Sequence, residues 1–212
     1  SGWGLSYMDN QAAYFNSAAL MMAIYHRNRT GQGSEIDVSA VEVGIKLLGP
    51  LLLEVSANGR RTREDAFPVG NRLEHPPAAP HGVYPVRGDD RWIAIAVFDD
   101  DEWRALKAVM GDPAWAGAAG FDTMASRVVR QDELDRRMAE WTRLQEPHAA
   151  MQALQEAGVR AAVVQNAEDL NESDPQLAER GVFFTLDHPV IGPARFEGSP
   201  FRFSALRQVN GP

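Results

Sequence analysis

A broad apolar stripe near the start of the chain constrains the fold more than any other feature. From Asn10 to Arg29 the residues Tyr14, Phe15, Ala18, Ala19, Met22, Ala23 and Tyr25 recur at intervals of three and four, a spacing that gathers side chains on one face of an α-helix. A stripe that wide predicts a mostly buried helix, so the fold must supply neighbours to cover it. Both ends of the helix are marked. Asp9 stands where an N-cap would, Arg27 and Arg29 fall in the last turn, where cations meet free carbonyls, and Gly31 follows as a residue free to turn left-handed.

Glu35-Ile36-Asp37-Val38 alternates polar with apolar residues, and Ala40, Val43, Gly44, Leu47, Leu48, Leu51 and Leu52 make a second helical stripe in which Pro50 predicts a kink. The two helices are expected to pack as neighbours. Asn58 to Arg63 carries a glycine and three arginines, and Phe67 to Pro80 holds four of the thirteen prolines, so a connection between structural units is expected here. Beyond it, Val83-Tyr84-Pro85-Val86, a Gly88-Asp89-Asp90 turn and Trp92 to Val97 predict a β-hairpin, with Pro85 best suited to an edge strand.

Further helices are expected over Asp99 to Met110, Asp132 to Leu144 and His148 to Ala157, followed by a strand within Val159 to Val164. A short helix at Pro175 to Arg180 and strands around Phe183 to Leu186 and Ala194 to Phe196 complete the pattern. The acidic run Asp99 to Glu102 reads as a favourable helix start rather than a metal site. Trp3, Trp92, Trp103, Trp115 and Trp141 are expected in the core or at an interface.

Composition narrows the function. The formal net charge is -8 and is spread along the chain, which argues against nucleic acid or an anionic membrane as the main partner. With no cysteine there is no disulfide, thiol nucleophile or thiolate metal site, and a cytoplasmic location is the default. Lys46 and Pro50 interrupt the longest apolar run well before the ~20 residues a membrane span needs. The opening Ser1-Gly2-Trp3-Gly4 does not read as a signal peptide; a start in mid-protein or after a processed tag is expected. Signatures of the P-loop, HExxH, GxSxG and GxGxxG kinds are missing from the sequence. His26, His75, His81, His148 and His188 are scattered without ligand spacing, so no metal site is expected; His81 stands apart because it lies in the proline-rich connection beside Gly82.

The stretch Tyr7-Met8-Asp9-Asn10-Gln11-Ala12-Ala13, leading through the helix to Arg27-Asn28-Arg29-Thr30-Gly31-Gln32-Gly33 and Ile36-Asp37-Val38-Ser39, resembles the class III coenzyme A transferase family (CaiB/BaiF type). There, an aspartate opens a helix of small residues that ends in a basic turn and a strand start. The resemblance continues through Gly70-Asn71-Arg72, Tyr84-Pro85, Trp92 to Val97, Gly158-Val159 and Asp174 to Gly181, so it covers nearly the whole chain.

The resemblance implies an α/β fold. Residues 1–65 would be part of a large domain, 66–78 a linker, 79–169 a small α+β domain and 170–212 a return to the large domain, in an interlocked homodimer. It also implies an acyl-CoA donor and a carboxylic acid acceptor, with coenzyme A thioesters as substrates and no permanently bound cofactor. Asp9 would be the nucleophile, forming a mixed anhydride and then an enzyme thioester. Read from its local pattern alone, Asp9 is a plain helix cap worth ~1 kcal/mol. Gly70, Asn71, His81 and Gly82 would bind substrate in a loop over the acyl group, although the consecutive glycines of some transferases are lacking and a simple interdomain linker reads equally well.

Two alternatives stay open. An α-methylacyl-CoA racemase would share the aspartate, but such enzymes usually carry a glutamate where this chain has Pro85, which cannot accept a proton. Alternatively, an incomplete chain would bind coenzyme A only together with a partner chain.

Overall fold

The computed structural model describes residues 7–59, 70–74, 76–117 and 120–205. Trp3, His75, the arginines of the expected connection at 60–63 and the proline-rich stretch at 67–69 lie outside these residues. The chain divides into two compact units, Ser1–Phe67 and Pro68–Pro212.

The first unit is helical: α1 (Tyr7–Thr30), α2 (Ala40–Leu47) and α3 (Gly49–Asn58). α1 ends as its sequence dictates, with Gly31 at φ 75° and its N–H donated to the Arg27 carbonyl at 2.8 Å. Because α1 begins at Tyr7, Asp9 lies inside its first turn and not at the N-cap. Met8 packs against Gly44 of α2, where any Cβ would collide with its thioether, so the two helices are neighbours as expected.

The expected burial of α1 is not found. None of its residues is buried, and Tyr14 and Met22 are 64% and 67% exposed. The reason is geometric, since α2 covers only the start of the stripe and Val43 is the buried hydrophobic residue of the described part of this unit. Pro50 also acts differently from the expected kink. It sits in the first turn of α3, where a missing N–H costs nothing, and the chain leaves the helix at Leu48 and starts another. Glu35 to Val38 forms no strand; Ser39 instead caps α2 by accepting the Glu42 N–H at 3.4 Å.

The second unit mixes helix and sheet. After a two-residue pairing of β1 (Leu73–Glu74) with β2 (Pro77–Ala78) come β3 (His81–Pro85) and β4 (Trp92–Ala96), an antiparallel hairpin with Tyr84 opposite Ile93. Next are α4 (Asp100–Val109), a 3-10 turn (Ala114–Gly117), α5 (Met124–Val129), α6 (Gln131–Thr142) and α7 (Pro147–Glu156). β5 (Arg160–Val164) then pairs antiparallel with β4, giving the sheet order β3-β4-β5. Pro85 is thus on an edge strand, where its missing N–H breaks no ladder. A π-turn (Asp169–Ser173), α8 (Pro175–Glu179) and a separate hairpin of β6 (Phe183–His188) with β7 (Gly192–Glu197) follow.

One sheet face carries the core. Tyr84, Ile93, Ile95 and Val97 are buried against Trp103 and Leu106 of α4, Leu134 and Met138 of α6 and Leu154 of α7. Asp99 caps α4, accepting the Glu102 N–H at 2.8 Å, so the acidic run is a helix start as its sequence suggested. Trp103 is buried and Trp115 and Trp141 pack partly buried on the core, whereas Trp92 stands outside it, 37% exposed. Arg127 is fully buried and ties the unit together. Its guanidinium donates to the carbonyls of Ala79 (2.8 Å), Phe121 (3.2 Å) and Asp99 (3.3 Å), pairs with Asp100 at 2.9 Å and stacks on Trp103.

Candidate functional site

Asp9 is exposed on the first turn of α1 and lines a shallow cavity of about 290 Å³ with Ala12, Ala13, Asn16 and Val38. The helical repeat places Ala12 and Ala13 one turn beyond Asp9. Because both are methyl groups, nothing bulky stands over the carboxylate from that side. The first turn of a helix also presents amide dipoles that favour an anion there. Asp9 therefore offers an accessible carboxylate with small neighbours.

The other expected site residues belong to the second unit, and there they converge. Gly70, Asn71, His81 and Gly82 all line one cavity of about 560 Å³ between β3 and α6. The His81 ring nitrogen Nδ1 contacts the Asn71 carbonyl, which ties the turn at residues 70–72 to the first residue of β3. The His81 ring also meets Phe98 edge-on at 6.0 Å. The other histidines in the described residues, His26, His148 and His188, are exposed. No group of three or more His, Asp or Glu residues that could hold a metal ion occurs among the described residues.

The cavity also contains groups that the sequence reading missed. Tyr84 donates its hydroxyl to Asp135 at 2.7 Å, and Arg72 is ion-paired with Asp132. A Cβ on Gly82 would lie 2.9 Å from the Tyr84 hydroxyl oxygen, so only a glycine lets the buried phenol rest there. Asp132, Asp135, Arg136 and Ala139 occupy one face of α6, and this three-and-four spacing was the signal available in the sequence. It was unreadable as a site without knowing that β3 lies beside that face.

Burial raises the Asp135 carboxyl above the usual carboxylate range, while the Tyr84 hydroxyl and Arg72 oppose that shift. Burial and the adjacent Asp135 push the Tyr84 hydroxyl upward as well. A carboxyl whose folded-state pKa is raised stabilises the fold fully below its unfolded pKa, and that contribution is lost as pH rises through the folded value. Asp135→Asn keeps an acceptor for Tyr84 and removes this titration. Urea midpoints measured at increasing pH from about 4 should then fall less steeply in the variant than in the parent chain. Equal slopes would show that Asp135 is not held protonated by the fold.

A second cavity of about 490 Å³ shares Asn71, His81, Gly82 and Val83 with the first, but spreads over the open sheet face at Ala94, Ala96 and Ala162. His81-Gly82 is thus the wall between an ionic cavity and an apolar one.

The mixed helix-and-sheet architecture defines the fold class, α/β in the broad sense, and comparison with known proteins then identifies the family. Over residues 2–211 the chain matches the model of CoA-transferase family III, and it belongs to that family. It is 34% identical over 197 residues to a probable CoA-transferase of Mycobacterium tuberculosis, covering 92% of this chain and 24% of the relative. It is 30% identical to a succinyl-CoA–D-citramalate CoA-transferase of Chloroflexus aurantiacus, covering 95% of this chain and 48% of that protein. A crystal structure of a CaiB/BaiF family protein from Brucella suis shares the fold, with a TM-score of 0.82 at 23% identity over 99% of this chain and 52% of that one. The chain therefore spans about half or less of the length of these relatives. No helix among the described residues is long and apolar enough to cross a membrane.

Proposed function

We propose that this chain carries the nucleophile and part of the acyl pocket of a class III coenzyme A transferase acting between an acyl-CoA donor and a carboxylic acid acceptor. The observation that carries the reading is the exposed Asp9 carboxylate beside two alanines, in a chain belonging to a CoA-transferase family. Several relatives are named as succinyl-CoA-dependent transferases, which supports a thioester donor of that kind. In keeping with the family resemblance, the working protein is a cytoplasmic homodimer.

In the reaction, an Asp9 carboxylate oxygen attacks the thioester carbonyl, the C–S bond breaks, and the coenzyme A thiolate leaves a mixed anhydride on Asp9. The thiolate then attacks the aspartyl carbonyl, releasing the donor's carboxylic acid and leaving an Asp9 thioester. The acceptor carboxylate attacks that thioester, the C–S bond breaks, and the coenzyme A thiolate leaves a new anhydride on Asp9. Coenzyme A closes the cycle by attacking the acceptor's acyl carbon and freeing Asp9. Each step needs a donor for the tetrahedral oxyanion.

Hydroxylamine added to the full-length protein after acyl-CoA should convert Asp9, and no other carboxylate, to a hydroxamate detectable by mass spectrometry. Turnover with Asp9 left unmodified would remove the covalent route and favour proton-transfer chemistry of the racemase kind.

A further inference from the structure

The ionic cavity holds an arrangement that the transfer chemistry leaves unused. β3 is the edge of its sheet, and its backbone groups alternate between β4 and the free side. The closed pairs are fixed by Val97 N–H donating to the Pro80 carbonyl at 2.9 Å and Val86 N–H to the Arg91 carbonyl at 2.9 Å. Counting along the register, Gly82 and Tyr84 turn their N–H groups toward β4, while His81 and Val83 turn theirs to the free edge. No described residue accepts a hydrogen bond from either of those two amides. The same edge lines the cavity opposite α6.

The charges on the α6 side are mostly committed. Asp132 is paired with Arg72, and Asp135 accepts from Tyr84. Arg136, exposed and on the cavity wall, has no hydrogen bond or ion pair among the described residues. An uncommitted guanidinium opposite outward-facing backbone amides is suited to an oxyanion with two acceptor atoms, because a planar fork and a carboxylate match in geometry. The space also fits, since about 560 Å³ lies well within the range of small-ligand sites.

We propose that the groove between the free edge of β3 and α6 recognises the remote carboxylate of a dicarboxylic substrate, with Arg136 as its charge partner and the His81 and Val83 amides as its hydrogen-bond donors. The proposal rests on the transferase reading for the other end of that substrate. The groove then selects for a second acid group. An uncharged acyl chain of equal length would leave Arg136 without a partner and gain nothing there. The carboxylate belongs either to the donor thioester or to the free acceptor acid.

Succinate and butyrate have the same number of carbons and differ by one carboxylate, so they isolate the effect. Calorimetric titration of each into the full-length protein should show succinate binding about tenfold more tightly, and Arg136→Gln should erase most of that preference while Arg136→Lys keeps part of it. Equal affinities in the parent protein, or an undiminished preference in Arg136→Gln, would overturn the proposal. In turnover assays, a rise of KM in Arg136→Gln confined to succinyl-CoA against butyryl-CoA assigns the groove to the donor. A rise confined to succinate against butyrate as acceptor assigns it to the acid. If the parent protein transfers no coenzyme A, the transferase reading fails, and the titration with free acids still decides the groove.

Discussion

Replacing Asp9 by alanine in the full-length protein is expected to abolish coenzyme A transfer, lowering kcat by on the order of 10⁴-fold or more, because the proposed anhydride forms on its carboxylate. The folded state should be almost untouched. Asp9 is exposed and lies within the first turn of α1, so removing it costs only the interaction of its charge with the helix amides, about 0.3–1 kcal/mol. Asp9→Asn, which keeps the shape, should be equally inactive. Steady-state kinetics and thermal melting followed by circular dichroism measure both halves of the expectation. Turnover within tenfold of the parent would mean that Asp9 is not the nucleophile.

Arg127→Met is the substitution expected to damage the fold most. Two carbonyls, those of Ala79 and Phe121, would lose their donor inside the protein, the Asp99 carbonyl would keep only the Trp103 N–H, and Trp103 would lose the cation stacked on its ring. Burial lowers the Arg127 pKa and the adjacent Asp100 partly offsets that, but a guanidinium stays charged at any ordinary pH. Asp100 is half exposed, so its stranded charge is solvated; the loss comes chiefly from the buried carbonyls and reaches about 3 kcal/mol or more. Arg127→Lys should recover only a minor part, since one ammonium cannot reach all four partners. Urea denaturation reads the difference directly, and a change below about 1 kcal/mol would show that water replaces the guanidinium without penalty.

Local patterns told most of the second unit's story in advance. The hairpin around Gly88 to Asp90, the edge position of Pro85, the capped start of α4 and the helices near Asp132 and His148 each follow from signals confined to a few residues. α5 leaves little trace in the sequence, because its cap, Thr123 with Ser126, lacks the acidic partner that usually marks a capping box. Asp9 reads as a cap from its residue type alone, whereas the Ser-x-x-Asp spacing from Ser6 to Asp9 is the signal that fits its place inside the first turn. The convergence of Asn71, His81 and Gly82 could be anticipated only from family resemblance, and their meeting with Asp135 and Arg136 could not be anticipated at all. That meeting is a long-range pairing of β3 with α6, and periodicity within either element does not encode it.

The least regular part of the hairpin has influence well beyond its own place. Gly88 at φ 118° and Asp90 at φ 50° hold the chain in left-handed conformations that set how many residues separate β3 from β4. Since backbone groups alternate from one residue to the next, adding or removing a single residue between Arg87 and Arg91 would exchange inward and outward amides along the whole strand. The phenol of Tyr84 would then face solvent and the imidazole of His81 the core. A loop remote from any chemistry thus acts as the ruler of this domain, and insertions there would be felt at the opposite end of the strand.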